Sequence, residues 1–486
     1  MYDQAVAAHK RRQAQAETAR MLIGGGWRDG AETYDDRDPY RGEVVAHAPV
    51  SQAADVEAAV EAAAAARDAA AAVPGFERAA LLRRVGALIA QRSDDIARAI
   101  ARETGKAIRD ARAEVARSAD TVALSAEEAI RITGEHIPID GSAMGAGRIA
   151  FTLRFPVGVV AAITPFNAPF NLACHKVAPA IAAGNAVVLK APPQAPLCVH
   201  KLAELFVDAG APAGLLNVLY GEPAGPLLVA HPKVDFITFT GSSRTGAAVK
   251  AASGLRRVAL ELGGDGPTIV HADADIDGAA KLCALNAMRL AGQSCISVQT
   301  VYVHRAIADS FTHRLVAAVE SLKVGDPMDD GTDVGTLIDE DAARRVDAWV
   351  REAVAGGARL LTGGARNGAQ YAPTVLADVT PAMKVVCEEV FGPVVGVAAY
   401  DDLEEAFARI NASRYGLQCG LFSASLETAL RAIRCLRVGG VIVNGTSTWR
   451  TDQLAYGGVK ASGEGREGPR YAIREMTDER LVVFNG

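Results

Sequence analysis

One thiol stands apart by its neighbours. Gly292-Gln293-Ser294-Cys295 closes a helical run that ends on Ala291-Gly292, so Cys295 lies in a turn of small residues. A sulfur so placed can attack a carbonyl carbon, and the N–H of the same residue can hold the adduct oxygen. The same segment would also suit a buried core cysteine, the commoner fate of a free thiol. Three further stretches could supply partners. In Thr164-Pro165-Phe166-Asn167-Ala168-Pro169 two prolines fix the backbone, so the Asn167 amide can be aimed as an oxyanion donor rather than merely forming a turn. Thr240-Gly241-Ser242-Ser243-Arg244-Thr245-Gly246 opens a helix, and N–H groups there, with no Cβ at Gly241, suit a phosphate. The spacing is not G-x-G-x-x-G, the usual dinucleotide fingerprint. Glu261-Leu262-Gly263-Gly264 follows an apolar run. A carboxylate there is partly desolvated and moves toward the pKa of a general base, unless it is simply a surface glutamate.

Composition narrows the class. The chain has 486 residues, 50% of them hydrophobic, enough for two or three cores. Its net charge of -6, with lysines and arginines scattered, argues against a nucleic-acid partner. Seven cysteines with no C-x-x-C pair argue against a disulfide framework or thiolate zinc site, so no metal is expected and a reducing cytoplasm fits. No apolar run reaches the length of a membrane span, and the N-terminus lacks the core of a secretory signal. Residues 1–20 are polar and helix-prone, with His9-Lys10-Arg11-Arg12 inside them; Asp3 and Glu17 interrupt the basic character, and a solvated leading helix is expected.

The elements that must position these residues follow from periodicity. Residues 51–134 are Ala-rich with apolar positions at helical spacing (Leu81, Leu82, Val85, Leu88, Ile89), which predicts three consecutive helices with stops at Gly105 and Gly134. From 136 to 156 alternation predicts a β-hairpin through Ile149, Phe151, Leu153 and Phe155. Short apolar strands are then expected at 157–163, 186–189, 216–219, 236–239 and 258–260, with helices starting near Asn171, Pro196, Gly225 and Ser243. A second βα series has strands at 268–270, 299–303, 394–399 and 441–443, and 481–484 is a last strand with no evident partner. Such alternation predicts parallel sheets whose ligands bind beyond the C-terminal strand ends, where Asn167, Gly241 and Glu261 fall.

Taken in order, Thr164-Pro165-Phe166-Asn167, Phe239-Thr240-Gly241-Ser242, Glu261-Leu262-Gly263-Gly264, Gly292-Gln293-Ser294-Cys295 and Glu388-Glu389-Val390-Phe391-Gly392-Pro393-Val394 resemble the aldehyde dehydrogenase superfamily over nearly the whole chain. The resemblance implies an α/β fold with two open parallel-sheet domains, a Rossmann-like cofactor domain (1–135 and 157–262) and a catalytic domain (263–465), plus a small β oligomerisation element (136–156 and 466–486). It implies that Cys295 attacks an aldehyde, that Asn167 and the Cys295 N–H hold the oxyanion, and that Glu261 activates the water that hydrolyses the thioester. Lys176 and Glu467 match proton-relay positions. For the cofactor it implies contacts from Ile163, Thr164, Pro165, Phe166, Lys190, Pro193, Gly241, Ser242, Gly246, Leu262, Glu389 and Phe391. Substrate contacts are assigned to Arg450 and Ser297.

Within the superfamily, Trp449-Arg450-Thr451-Asp452-Gln453-Leu454-Ala455-Tyr456 and Gly465-Arg466-Glu467-Gly468-Pro469-Arg470-Tyr471-Ala472 are similar to the lactaldehyde, glycolaldehyde and phosphonoacetaldehyde dehydrogenase branch. The phosphonoacetaldehyde type has a basic residue before the nucleophile and a His after the oxyanion Asn; Ser294 and Ala168 depart from both. The expected activity is NAD(P)-dependent oxidation of a small aldehyde, lactaldehyde-like or short and anionic, to its carboxylate. Transfer to coenzyme A and a non-catalytic reuse of the fold are the alternatives; Glu261 argues against the first, and the joint presence of Cys295, Asn167 and Glu261 against the second. At the adenosine ribose, Pro193 replaces the Glu of NAD-preferring members and leaves Lys190 as donor, so NADP is expected to be preferred, with NAD as a second cofactor. A homodimer or homotetramer is expected to cover the apolar edges at 149–155 and 481–484.

Overall fold

The computed structural model describes residues 16–485. The leading helix expected over 1–20 lies outside them except for residues 16–20, in which Glu17–Thr18 is a strand paired in parallel with Ala46 and His47.

The first large sheet has eight strands, in the order Gly463–Glu464, Arg257–Glu261, Phe236–Thr240, Val159–Ile163, Ala186–Lys190, Leu216–Leu219, Met21–Ile23 and Gly26–Arg28. The five from Arg257–Glu261 to Leu216–Leu219 are parallel. Four of these runs, VVAAI, AVVLK, LNVL and FITFT, are almost wholly buried, as strands covered by helices on both faces must be. The chain runs outward from Val159–Ile163 through Ala186–Lys190 to Leu216–Leu219, then returns to the other side at Phe236–Thr240. That reversal is a topological switch point, and a crevice opens between the ends of the two strands flanking it, at Ile163 and Thr240.

The second sheet has seven strands, with Pro267–Val270 and Thr300–His304 adjacent at its centre and Gly440–Val443 at one edge. Cys295 lies five residues before Thr300, at the N-terminal end of this sheet, whereas Glu261 lies at the C-terminal end of the first. Only residues 262–266 connect the two, so the strand ends of one sheet meet the strand starts of the other around the site. Two large apolar cores accompany the two sheets.

Several elements depart from expectation. Four helices, not three, cover 53–129: Ala53–Ala72, Gly75–Gln91, Ser93–Thr104 and Ile108–Ala129. The extra break falls at Arg92, with neither proline nor glycine to mark it. Gly105 does end a helix, in the left-handed conformation with φ 68°. Gly134 does not; the helix stops at Ala129, and a Cβ on Gly134 would collide with the Thr152 carbonyl. Strands at Arg359–Thr362, Thr374–Ala377 and Gln418–Phe422 join the second sheet beyond those expected. The final strand, Thr477–Phe484, has a partner within the chain: it pairs antiparallel along the whole of Ile149–Pro156, whose other side takes His136–Ile137. Among the described residues no helix is long and apolar enough to cross a membrane.

Candidate active site

The helix Ile276–Met288 ends before the nucleophile turn rather than running to Gly292. Three successive residues, Leu290, Ala291 and Gly292, then take positive φ (57°, 51° and 71°). Left-handed conformations cost non-glycine residues about 1–2 kcal/mol each, so this turn is held by its surroundings rather than by preference. It carries Cys295 to a cavity of about 300 Å³ lined by Phe166, Asn167, Thr240, Glu261, Glu389 and Arg450, among others. Burial pushes the Cys295 thiol up to about 12, while a hydrogen bond with Tyr456, Sγ to Oη 3.2 Å, works the other way.

Asn167 follows Ile163 across the proline turn and precedes the helix Pro169–Ala182. Its Nδ2 donates to the Gln293 carbonyl at 3.0 Å, which ties the amide to the nucleophile turn and leaves its second N–H without a partner among the described residues. The N–H of Cys295 has no backbone acceptor among the described residues. Two donors are therefore available beside one sulfur.

Glu261 is 5% exposed, and its Oε2 has no hydrogen-bond partner among the described residues. Burial, then the charge of Glu467, raises it well above the ordinary glutamate range, against the pull of Arg450 and Lys176. Lys176 and Glu467 do meet, Nζ to Oε1 3.4 Å, and Arg450 holds the other carboxylate oxygen of Glu467 at 2.9 Å. Against its own burial, these two cations bring Glu467 down to about 2. The result is two buried carboxylates with opposite shifts, one set to take a proton and one permanently charged.

The remaining cavity walls suit a dinucleotide. Gly241 precedes the helix Ser243–Ala252, capped by Ser242, whose hydroxyl accepts from the Thr245 N–H at 3.2 Å. A Cβ on Gly241 would meet the Phe239 ring and one on Gly246 the Leu262 side chain, so both glycines allow close approach. Phe166 and Phe391 meet edge to face with centroids 5.9 Å apart, and Phe391 takes a positive φ of 48°. Glu389 accepts from the Gly264 N–H at 3.2 Å; burial nevertheless raises it to about 7. At the neighbouring strand ends, Ile163, Thr164 and Lys190 are buried, and the Thr164 N–H donates to the Lys190 carbonyl at 3.4 Å. Burial lowers the Lys190 ammonium to about 8, opposed by the charge of Glu222. Pro193 follows in a partly exposed turn.

A second cavity, of about 180 Å³, shares Arg450 as a wall and takes in Ser294 and Ile296, the two neighbours of Cys295. Arg117 and Arg289 also line it. Each guanidinium has a carboxylate partner: Arg117 with Asp452 at 2.5 Å, Arg289 with Asp110 at 3.1 Å, Arg450 with Glu467. The Nε of Arg450 and Nδ1 of His175 are buried with no partner among the described residues. Ser297, expected to touch substrate, instead donates to the Asn286 and Ala287 carbonyls and lines neither cavity. Sequence reasoning missed Tyr456, Arg117, Arg289 and His175. The last lay beside Lys176 in a helix buried on every face, a signal that could have found it.

The aldehyde dehydrogenase family profile matches residues 27–482, and the chain belongs to that family. It is an NAD(P)-dependent enzyme that oxidises small aldehydes to carboxylates through a cysteine-bound thiohemiacetal and thioester. It is 47% identical over 474 residues to the 3-sulfolactaldehyde dehydrogenase of Priestia aryabhattai, covering 97% of this chain and 99% of that one. Among solved structures, aldehyde dehydrogenase 21 from Physcomitrella patens, in complex with its product succinate, superposes with a TM-score of 0.94 at 39% identity, over 97% and 98% of the two chains. The NADP complex of the NADP-dependent glyceraldehyde-3-phosphate dehydrogenase from Bacillus halodurans C-125 gives a TM-score of 0.94 at 37% identity, over 97% and 100%.

Proposed function

We propose that the enzyme oxidises a short aldehyde carrying an anionic head, a sulfonate or carboxylate, and that sulfolactaldehyde is the compound of this class to test first. The observation that carries the reading is the second cavity: three guanidiniums, Arg117, Arg289 and Arg450, border a small space beside Cys295. A charge-assisted hydrogen bond contributes roughly 1.5–3 kcal/mol, so two of them would favour an anionic aldehyde over a neutral one of equal size by about a hundredfold or more. The 3-sulfolactaldehyde dehydrogenase of Priestia aryabhattai and the succinate bound to the Physcomitrella patens enzyme are consistent with such a head group.

In this reading the Cys295 sulfur attacks the aldehyde carbon while the second Asn167 N–H and the Cys295 N–H receive the oxygen, each donor worth about 3–4 kcal/mol in the transition state. Phe166, Gly241, Ser242, Glu389 and Phe391 hold the dinucleotide, with Gly246 and Leu262 supporting the phosphate turn. When bound, its nicotinamide accepts the hydride. Glu261 then takes a proton from water attacking the thioester, and Lys176 with Glu467 sets the charge around it.

Steady-state rates with sulfolactaldehyde, succinate semialdehyde and propionaldehyde test the substrate. The two anions are expected to exceed the neutral aldehyde at least a hundredfold in kcat/KM without coenzyme A; equal values would overturn the reading. Cofactor choice rests on Lys190, a buried ammonium with no hydrogen bond among the described residues, near the turn that carries Pro193 in place of a carboxylate. NADP is expected to be preferred. If NAD is favoured by more than about tenfold in kcat/KM, the reading of Lys190 and Pro193 is wrong, and Glu222, whose charge acts on Lys190, is the carboxylate to substitute next.

The parts divide as 1–135 and 157–262 for the cofactor, 263–465 for catalysis and 136–156 with 466–486 for assembly, in a homodimer or dimer of dimers. Seven free cysteines accord with a cytoplasmic enzyme.

A further inference from the structure

Tyr456 was assigned nothing by the motif reading, yet its hydroxyl is the side-chain hydrogen-bond partner of the Cys295 sulfur, at 3.2 Å. The ring is 4% exposed and clamped. The Arg450 guanidinium stands 3.7 Å above its centroid, itself fixed by Glu467, and the Tyr456 carbonyl accepts from the Glu467 N–H at 2.6 Å. Burial raises the phenol well above its ordinary range, so it keeps its proton wherever the enzyme works and can only donate to a negatively charged sulfur. The other charges facing the sulfur are Glu389, Glu261 and Arg450. Both carboxylates oppose the thiolate, and Arg450 favours it from behind the tyrosine ring.

We propose that Tyr456 is a catalytic residue whose hydroxyl donates to the sulfur of Cys295 each time that sulfur carries negative charge. This rests on Cys295 being the nucleophile. The sulfur is anionic twice in a turnover. First, the thiol proton is lost to solvent water, and the electron pair left on sulfur is held by the Tyr456 O–H before it forms the C–S bond. Later, water adds to the thioester carbon and gives its proton to Glu261. The C–S bond then breaks with its electron pair returning to sulfur, and the same O–H stabilises the departing thiolate. Tyr456 keeps its proton throughout, and no electron leaves or enters beyond the hydride of the established reaction. The hydroxyl therefore acts on both the acylation and deacylation sides of the thioester.

The test is the pH dependence of Cys295 alkylation by iodoacetamide in the enzyme without cofactor, comparing wild type with Tyr456→Phe, which keeps the ring beneath Arg450. Loss of one hydrogen bond to a charged group is expected to raise the apparent thiol pKa by about one unit or more, tenfold in thiolate fraction, and to lower kcat at least about tenfold with KM for the dinucleotide unchanged. Incorporation of 3,5-difluorotyrosine at 456, a stronger donor of the same shape, should move the alkylation profile the opposite way, and it decides the matter if the Phe variant folds poorly. Superimposable alkylation profiles for wild type and either replacement would overturn the role. Cys295→Ala separates this from the nucleophile assignment: if that variant still turns over, the assignment of Cys295 has failed, whatever Tyr456 does.

Discussion

Glu261 and Glu467 are both buried carboxylates, yet their proton affinities move apart, and the difference lies in what faces each. Glu467 has Lys176 on one oxygen and Arg450 on the other; Glu261 has a bare Oε2 and the charge of Glu467 nearby. Pairs driven apart in this way mark acid and base roles. Glu261→Gln should therefore give a single-turnover burst of reduced cofactor followed by stalled deacylation, whereas Cys295→Ala should give no burst while still binding dinucleotide in a fluorescence titration. Normal steady-state turnover of Glu261→Gln would remove it from the water-activating role. The sign of the pH dependence follows too. Glu261 must be ionised to act, so kcat falls as pH drops through its raised pKa, above the usual value of 4.5. Lys176→Met removes a charge that favours the carboxylate and should shift the acid limb of kcat to higher pH. Glu467→Gln removes one that opposes it and should shift the limb lower. Limbs that move together in the two variants, or stay fixed, would rule out this coupling.

At the level of elements, the nucleophile depends on a turn that its own residues disfavour. Gly292 takes φ 71°, and a Cβ there would collide with the Gly392 carbonyl, in the segment that carries Phe391. Gly292→Ala should cost about 1–3 kcal/mol of stability, measured by denaturant unfolding. It should also lower kcat at least about tenfold by shifting Gln293, whose carbonyl anchors Asn167. Retained kcat with a folded variant would mean that the turn is more compliant than its packing implies. The sequence made the turn's chemistry legible because the signals there are local: small residues, proline-fixed backbone, a carboxylate at a strand end. The same locality explains what it hid. The break at Arg92 carries no turn residue, and the strand Thr477–Phe484 finds its partner more than 300 positions earlier. Tyr456 reaches Cys295 across 161 positions, and Arg450 lines both cavities. Such long-range pairings are set by tertiary packing and leave no periodic trace in either segment.

At the scale of the whole molecule, two of the sheet edges among the described residues lie beside exposed apolar side chains. Thr477–Phe484 pairs with Ile149–Pro156 on one side only, and the sheet they form exposes Ile149, Leu481 and Phe484, each close to 60% accessible. Gly440–Val443 is the open edge of the seven-stranded sheet, and the adjacent helix Leu426–Cys435 turns Leu426, Leu430 and Ile433 outward at helical spacing. An exposed apolar edge strand invites pairing, and a two-fold assembly is the economical way to close two such edges with one interface. The enzyme should therefore run in light scattering at twice or four times the 50.6 kDa of the chain. Leu481→Arg would place a solvated charge in that contact and should shift the population toward monomer on dilution. The Cys295 turn lies elsewhere in the chain, and the burst amplitude per subunit should be preserved in the variant. A monodisperse wild-type monomer at 50.6 kDa would contradict the assembly, and a Leu481→Arg variant as stable in its oligomeric state as wild type would remove this strand from the interface.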